Sequence, residues 1–261
     1  MAQMTKYSEG VPCWIELGTP DMARAKEFYT ALFGWDITDT GEETGHYHLA
    51  MLKGLPVAGI MQQQEAWTGP SAWVTYLWTE DADGTAKRIR DAGGSLLFEP
   101  MDVTDQGRMA IATDPAGAVF GIWQGRAHRG AGLANEPGAF TWNDNLSTDP
   151  LAAREFYASV FGYDYEVVPA PWDESAEYAM IKVDDRPVGG IAGHPPMIPA
   201  GTPSFWNTYF SVADADAAVR TVEQGGGEVL VPVRPAPYGR QAVVRDNGGA
   251  GLVLVDASGG S

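Results

Sequence analysis

The chain has 261 residues, of which 44% are apolar, and its 32 glycines and 18 prolines favour many short strands and turns. A formal net charge of −17 would repel nucleic acids and anionic lipid surfaces, so we expect neither as a partner. The single cysteine, Cys13, excludes an intrachain disulfide, and no apolar run approaches the roughly 20 residues that cross a bilayer. We therefore expect a soluble, cytoplasmic protein whose first ten residues form a short disordered arm.

The first 62 residues predict a strand, a helix and three further strands. The first strand covers residues 13–18, and the helix after it is capped by Thr19, opened by Pro20 and ended by Gly34. One face of this helix is apolar, through Ala25, Phe28, Tyr29, Leu32 and Phe33. The remaining strands are predicted near residues 35–39, 47–53 and 57–62.

The same order of elements returns three times along the chain. Residues 72–124 predict a strand at 73–79, a helix at 81–92 and strands at 95–103, 108–113 and 118–124. Two more copies cover about residues 138–193 and 204–256. Residues 125–137 lack hydrophobic periodicity and are predicted to be a linker. We therefore expect one domain over residues 9–124 and a second over residues 138–256.

Two pairs of segments show that the second half repeats the first. The segment DMARAKEFYTALFGW at 21–35 matches DPLAAREFYASVFGY at 149–163. Farther on, GRMAIATDPAGAVFGIW at 107–123 matches GRQAVVRDNGGAGLVLV at 239–255. Four modules of one kind therefore account for nearly the whole chain.

These modules, with their D…FY…FGW helix and GRxA…DPxGA hairpin, resemble the vicinal oxygen chelate superfamily of glyoxalase I, bleomycin-resistance proteins and extradiol dioxygenases. The motifs at residues 14–21 and 142–144 resemble its tandem-domain actinobacterial branch, often labelled "hydroxylase" or "glyoxalase-like". The resemblance implies an α+β fold. Two βαβββ modules pair into one curved eight-stranded mixed sheet, with helices on its outer face and the ligand on its concave face.

Metal-using members of this superfamily place His or Glu on the first and last strands of each module pair. The positions that correspond here are Trp14, Val74 and Gly121 in the first domain, and Trp142, Asn207 and Val253 in the second. The side chains of Trp, Val and Gly cannot ligate a metal, and a lone Asn is a weak ligand. We therefore expect no bound metal and no other cofactor.

Two carboxylates are the candidate catalytic residues. Alternation along the first strand places Trp14 and Glu16 in the cavity and Cys13 under the helix. Asp144 has the equivalent place in the second domain. A carboxylate in an apolar pocket has a raised pKa and can act as a general base or bind a cationic or hydroxyl ligand. The alternative, a structural ion pair with Arg108 or Arg240, stays open.

Aromatic side chains also alternate onto the predicted cavity faces, where they favour stacking with a flat organic ligand. The alternative is that they fill the cavity and leave no pocket. Asn207 is placed to hydrogen-bond a ligand, and the two arginines either guard the pocket mouth or cap a turn. The ligand-binding candidates are Trp14, Trp78, Arg108, Trp123, Trp142, Asn207, Tyr209 and Arg240.

Three functions follow as hypotheses. The preferred one is a metal-independent protein of the glyoxalase/bleomycin-resistance type that binds an apolar or aromatic metabolite. The second is a lyase, isomerase or hydroxylase acting on a small carbonyl compound such as methylglyoxal, with Glu16 or Asp144 as the base. The third is a protein-interaction role with vestigial pockets and an acidic surface. Since one chain holds all four modules, we expect a monomer.

Overall fold

The computed structural model describes residues 4–63 and 69–257, and it contains the four predicted modules. The first two modules comprise β1 (Pro12–Thr19), α1 (Met22–Phe33), β2 (Asp36–Asp39), β3 (His48–Leu52), β4 (Leu55–Gln62), β5 (Ala72–Trp78), α2 (Ala82–Asp91), β6 (Ser95–Val103), β7 (Gly107–Thr113) and β8 (Val119–Gly125). The last two comprise β9 (Phe140–Ser147), α3 (Pro150–Phe161), β10 (Asp164–Ala170), β11 (Asp173–Val183), β12 (Arg186–Gly193), β13 (Phe205–Ser211), α4 (Ala215–Gln224), β14 (Glu228–Ala236), β15 (Gly239–Arg245) and β16 (Gly251–Asp256). Each element predicted in the first two modules is present, with ends that differ by at most two residues.

Each half of the chain forms one open, eight-stranded mixed sheet. The strand orders are β2-β3-β4-β1-β5-β8-β7-β6 and β10-β11-β12-β9-β13-β16-β15-β14. The opening strands of two modules meet at the centre of each sheet and run antiparallel, as β1 with β5 and β9 with β13. In each module the opening strand is also paired in parallel with the last one, for example β1 with β4. The predicted α+β fold of paired βαβββ modules is confirmed.

The start of α1 differs from the prediction by one capping residue. Asp21, not Thr19, is the N-cap, because its Oδ1 accepts from the backbone N of Arg24 at 3.1 Å. The Thr19 hydroxyl instead accepts from the backbone N of Asp21 at 3.3 Å, so Pro20 lies before the helix. Gly34 ends the helix as predicted, with φ 70° in the left-handed region.

Alternation along the central strands separates two faces of each sheet. Leu17 of β1 lies opposite Trp73 of β5, whose Nε1 donates to the Tyr29 hydroxyl of α1 at 3.1 Å, so this face is covered by helices. Cys13 is fully buried, as predicted, and lies at a register shift between Pro12 and Trp14 where the regular alternation is interrupted. Trp14 and Glu16 lie on the opposite face, which we call the open face. The candidate site therefore lies where the helices do not cover the sheet.

The two domains pack together through their helix-covered faces. The Tyr29 hydroxyl of α1 donates to Asp246 Oδ2 of the second domain at 2.8 Å. The Tyr157 hydroxyl of α3 donates in the opposite direction, to Asp114 Oδ2 of the first domain at 3.3 Å. At the centre, Thr75 Oγ1 of β5 hydrogen-bonds Asn143 of β9 at 2.9 Å. The interface thus repeats the same contact in both directions.

The segment between β8 and β9, residues 126–139, lies against the first domain. The backbone N of Ala131 donates to Cys13 O at 2.8 Å, and that of Gly132 donates to Pro56 O at 2.7 Å. Tyr7 packs on this segment, and its hydroxyl donates to Ala131 O at 2.8 Å. The expectation of a disordered arm is therefore wrong for residues 4–10, because Tyr7 also stacks on Trp78 and is 3% exposed. Residues 1–3 lie outside the described residues.

Within the described ranges, no helix is both long enough and apolar enough to cross a bilayer.

The reciprocal interdomain contacts predict a stability effect. Tyr29→Phe removes the donor to the buried Asp246 carboxylate and the acceptor for the Trp73 indole. We expect the free energy of unfolding to fall by about 1–3 kcal/mol in urea denaturation, since a buried polar group loses its partner. Tyr238→Phe, at a side chain that is 72% exposed, is the matched control and should change stability by less than about 0.5 kcal/mol. Equal effects of the two variants would contradict the role given to Tyr29.

Candidate functional site

The open face of the first domain holds a carboxylate gripped by tyrosine hydroxyls. Register places Trp14 of β1 opposite Tyr76 of β5. The Tyr76 hydroxyl donates to Glu16 Oε1 at 3.0 Å, and the Tyr47 hydroxyl is hydrogen-bonded to the same carboxylate. Trp14 Nε1 donates to the Tyr47 hydroxyl at 3.0 Å. We call these four side chains the Glu16 cluster.

The second domain builds the same arrangement from equivalent strands. Asp144 Oδ1 accepts from the Tyr178 hydroxyl at 2.7 Å and from Trp142 Nε1 at 2.8 Å. Asp144 Oδ2 accepts from the Tyr209 hydroxyl at 2.6 Å. We call these four side chains the Asp144 cluster. One acid, two tyrosines and a tryptophan thus occupy the centre of each open face.

A glycine on the neighbouring strand makes room for one tyrosine in each cluster. A Cβ added at Gly59 of β4 would lie 1.7 Å from the Tyr47 hydroxyl, and one at Gly190 of β12 would lie 2.0 Å from the Tyr178 hydroxyl. Any larger residue would therefore displace the ring. Each cluster therefore depends on its glycine, because the missing side chain lets the tyrosine hydroxyl lie over the strand and reach the acid.

Burial governs the protonation of both clusters. Desolvation raises the pKa of the Glu16 carboxyl above its ordinary value, and hydrogen bonds from Tyr47 and Tyr76 oppose that rise. The pKa of the Asp144 carboxyl is raised for the same reason, against hydrogen bonds from Tyr209, Tyr178 and Trp142. Each carboxyl therefore holds a proton more readily than an exposed one. That property suits a general base or an acceptor for a ligand hydroxyl.

The two acids differ in how many further hydrogen bonds they can accept. A carboxylate offers about four acceptor positions. Asp144 already receives three donors and is 3% exposed. Glu16 receives its tyrosine donors and is partly exposed. Glu16 is therefore the better placed of the two to accept a hydrogen bond from another molecule.

The outer part of the open face differs between the domains. Across the strands it continues with Ile111, Phe98, Met109 and Met101 in the first domain, and with Val243, Val231, Gln241 and Arg234 in the second. Phe98 is 54% exposed and Met101 is 50% exposed. Beside the acids, Val74 lies opposite Glu16, whereas Asn207 lies opposite Asp144. The first domain therefore presents the more apolar surface.

The predicted aromatic residues divide into two groups. Trp14, Trp142 and Tyr209 belong to the clusters, as described above. Trp78 and Trp123 form a register pair at one end of the open face and are 7% and 6% exposed, so they fill space there. Their indole nitrogens donate to Glu80 Oε1 and to the His128 carbonyl.

Neither predicted arginine joins a cluster. Arg108 pairs with Asp83 at 2.9 Å and with Asp102 at 3.1 Å, and Arg240 pairs with Asp216 at 2.8 Å. Within the described part of the chain, the ion pair between Glu16 and Arg108 that the sequence left open is not formed. The reason is that acidic side chains on the helix and strand beside each arginine are nearer partners at the surface.

Sequence reasoning missed Tyr47, Tyr76, Tyr178 and His128. The usable signal was the repeat itself, because Tyr76 and Tyr209 stand at matching places on β5 and β13. Tyr47 opens the strand predicted at 47–53, but alternation alone does not show which of that strand's two faces meets Glu16. His128 lies in the segment between the domains, which has no periodic pattern.

Surface grooves are found away from both clusters. One of about 410 Å³ is lined by residues that include Ser8, Glu9, Asp164 and Lys182. Another of about 270 Å³ lies between α2 and α3, beside Ala92 and Phe156. Both are open to solvent, and neither is lined by a residue of the Glu16 cluster or the Asp144 cluster.

The metal-ligand positions of the superfamily hold the wrong donors here. Register brings Tyr76, rather than Val74, opposite Trp14, with Gly121 beside Tyr76. Across the described residues, no three side chains of His, Cys, Asp or Glu come together as a metal-ion site would require. Each cluster offers one carboxylate and two phenols, whose pKa values burial raises well above the ordinary value. This donor set does not fit the divalent ion of the superfamily.

Comparison with known families settles the assignment. The family model described as Glyoxalase/Bleomycin resistance protein/Dioxygenase superfamily matches residues 13–122 and 146–254. The chain belongs to this superfamily. Among its relatives, "Putative glyoxylase CFP32" of Mycobacterium tuberculosis is 37% identical over 255 residues, covering 96% of each chain. "Anthracycline biosynthesis protein DnrV" of Streptomyces peucetius is 33% identical over 270 residues, covering 97% of this chain and 95% of the relative. These relatives also support the predicted actinobacterial branch.

Solved structures of the superfamily share the fold at low identity. The Mn(II)-bound glyoxalase from Novosphingobium aromaticivorans aligns with a TM-score of 0.66 and 13% identity, covering 95% of this chain and 83% of that one. The 2,3-dioxygenase LapB from Pseudomonas sp. KL28 aligns with a TM-score of 0.67 and 11% identity, covering 98% and 94%. At such identity the likeness shows the architecture alone.

The glycine beneath each tyrosine gives a prediction within one strand. Gly190→Ala would place a methyl group 2.0 Å from the Tyr178 hydroxyl, so we expect the ring to leave Asp144 and unfolding free energy to fall by about 1–3 kcal/mol. Gly193→Ala, near the end of the same strand, meets nothing within 4 Å and should be nearly neutral. Thermal unfolding and a crystal structure of the first variant check this. An unmoved Tyr178 ring with full stability would contradict it.

Proposed function

We propose that this superfamily member binds a small apolar or aromatic molecule on an open face, without a metal ion. The observation that carries the proposal is the buried carboxylate held by two tyrosine hydroxyls at the centre of that face. The nearby positions that correspond to metal ligands in the superfamily hold Trp14 in the first domain and Trp142 in the second, so the carboxylate has tryptophan and apolar neighbours instead of metal ligands. The chemistry that remains is ring stacking, apolar contact and a hydrogen bond to the acid.

The surroundings of Glu16 support an uncharged ligand that carries a hydroxyl or other donor. A buried carboxylate accepts hydrogen bonds and repels a second anion. The net charge of −17 disfavours an anionic ligand further. Phe98 and Met101 add exposed apolar surface on the same face. A flat ring with a hydroxyl group meets all these conditions.

The names of two relatives agree with a ring-shaped ligand. The Streptomyces relatives DnrV and DauV, each 33% identical to this chain, are both called anthracycline biosynthesis proteins. Anthracyclines are planar, fused aromatic compounds that carry hydroxyl groups. We take this as support for the chemical class of the ligand and not for its identity. Since the interface between the domains is internal to one chain, we propose that the protein works as a monomer.

Binding of 2,6-dihydroxyanthraquinone, whose hydroxyls lie away from the quinone carbonyls and are free to donate, tests this proposal. We expect calorimetry to show saturable binding that is the same within twofold after EDTA treatment and after addition of Mn²⁺. Glu16→Gln should weaken binding by about tenfold, as expected for a lost hydrogen bond to a carboxylate. Glu27→Gln, an exposed change on α1, should leave the affinity unchanged. Wild-type protein that retained neither this probe nor any metabolite in dialysis would overturn the proposal and favour the protein-interaction role.

A second candidate function is proton abstraction next to a carbonyl group, with Glu16 or Asp144 as the base. Burial raises the pKa of both carboxyls, which is how proteins prepare a general base. The Mycobacterium tuberculosis relative named as a glyoxylase supports a carbonyl substrate. The tyrosine hydroxyls that hydrogen-bond Glu16 or Asp144 would hold the base in place during the proton transfer.

Turnover of methylglyoxal, followed by NMR with and without added thiol, tests this candidate. Glu16→Gln or Asp144→Asn should lower the rate by about 10²-fold or more, the usual effect of losing a general base, while circular dichroism stays unchanged. Glu27→Gln serves again as the control. Unchanged rates in both variants would remove the two acids from the chemistry.

A further inference from the structure

The residues beside the acid differ in size between the two open faces. In the first domain, register pairs Gly18 of β1 with Ala72 of β5. In the second domain, it pairs Leu146 of β9 with Phe205 of β13. Gly18 and Leu146 each follow the acid of their strand by two residues, so alternation places both pairs on the open face. Two small residues therefore lie where the second domain has two large ones.

Large side chains close this side of the acid in the second domain. Leu146 and Asp144 are each 3% exposed. His194 adds to the packing, because its Nε2 is hydrogen-bonded to the Leu146 carbonyl at 3.2 Å and its ring centre lies 5.9 Å from that of Phe205. Leu146 and Phe205 therefore separate Asp144 from any molecule that approaches on this side.

The same side of the acid is open in the first domain. Ala72 is exposed, and Gly18 and Glu16 are both partly exposed. Because β1 is paired with β4 on one side and with β5 on the other, the exposed part of Glu16 is its side chain. A Cβ added at Gly18 would lie 3.6 Å from Gln63 Cγ, an ordinary van der Waals contact, so there is space above this glycine. We call the space over Gly18 and Ala72, with Glu16 at its inner end, the Gly18 recess.

The opposite side of Glu16 is covered. Trp14 precedes Glu16 by two residues on the same face and is 4% exposed. The His128 ring packs against Trp14, edge to face, with the two ring centres 4.4 Å apart. The Gly18 recess is therefore the side from which another molecule reaches the carboxylate.

The walls of the Gly18 recess are apolar. Val74 lies opposite Glu16, Met61 lies beside Gly18, and both side chains are partly exposed. Apolar walls with one polar group at the end favour an uncharged ligand whose donor points inward. A carboxylate is an acceptor, so the donor that fits it is a hydroxyl on the edge of the ligand.

We propose that the ligand enters the Gly18 recess edge first and donates a hydroxyl to Glu16, and that Leu146 and Phe205 exclude the same ligand from the second domain. The inference rests on the proposed binding function and deepens it, because it names the face, the side of approach and the part of the ligand that reaches the acid. Gly18 and Ala72 are then the residues that determine which domain binds. The Asp144 cluster has a structural role, in which the acid ties Tyr178 and Tyr209 together across the sheet.

Calorimetric titration with 2,6-dihydroxyanthraquinone tests this inference. We expect one molecule bound per chain. The double variant Gly18→Leu/Ala72→Phe gives the first domain the pair of the second, and it should weaken binding by at least about tenfold. Phe205→Ala, a truncation on the second open face, should bind as the wild type does. Gly193→Leu adds the same side chain at a glycine whose Cβ would meet nothing within 4 Å, and it should also leave the affinity unchanged.

Labelling of carboxyl groups with a carbodiimide and an amine, mapped by mass spectrometry, gives a readout that needs no ligand. Glu16 should be labelled in the folded wild type, whereas Asp144 should be labelled only after unfolding. The double variant should protect Glu16. Equal labelling of Glu16 and Asp144 in the folded wild type would overturn the inference, whether or not the protein binds the probe.

The outcomes separate this inference from the proposed function. Two molecules per chain, unchanged affinity in the double variant, or lost binding in Phe205→Ala would overturn the inference and leave binding itself intact. No binding by the wild type would overturn the proposed function, and the labelling would then decide whether the recess gives access to Glu16. If thermal unfolding shows that the double variant does not fold, Gly18→Ala and Ala72→Phe are measured singly. Each should weaken binding by at least about threefold, and unchanged affinity in both would overturn the inference.

Discussion

The antiparallel pairing of two opening strands at the centre of each sheet determines both the candidate site and the contact between the domains. On one side, the pairing of β1 with β5 brings Trp14 opposite Tyr76 and so assembles the acid cluster of the open face. On the other side, it turns Thr75 towards Asn143 of β9 in the second domain. Because side chains alternate along a strand, one register decides both the site and the interdomain contact. A slip of one residue would exchange the two faces.

Asp114 and Asp246 are also buried, and their surroundings show how a structural carboxylate differs from Glu16. Asp114 accepts two backbone N–H groups of its own turn, at 2.9 Å each, before it receives Tyr157 and Asn145 of the other domain. Asp246 does the same with Gly248 and Ala250, and then with Tyr29. Such acids are satisfied by the fold and have no acceptor to spare. Among the described residues Glu16 takes no backbone donor, so tyrosine hydroxyls hold its carboxylate where backbone N–H groups hold the structural acids.

The sequence predicted what local signals determine and missed what only tertiary contacts determine. Glycines, period-two alternation and the internal repeat were enough for the strands, for the end of α1 at Gly34 and for the opposite faces of Leu17 and Glu16. The predicted cap, Thr19, was wrong, because only the path of the backbone decides that Asp21 reaches the N–H of Arg24. Tyr47 lies in the strand predicted at 47–53, but alternation there does not show which face meets Glu16, and His128 lies outside any element. The packing of residues 4–10 depends on Trp78, which is remote in sequence.

The two domains share the acid cluster, and they differ in the residues that surround it. Both domains retain the acid, the tryptophan, the two tyrosines and the glycine beneath one of them. This combination hydrogen-bonds a carboxylate on the open face of each sheet. The neighbouring positions do not match: Met109 and Met101 line the first face where Gln241 and Arg234 line the second. A frame common to both domains cannot by itself distinguish one ligand from another. Under the proposed binding function, selectivity therefore resides in the residues that surround each cluster.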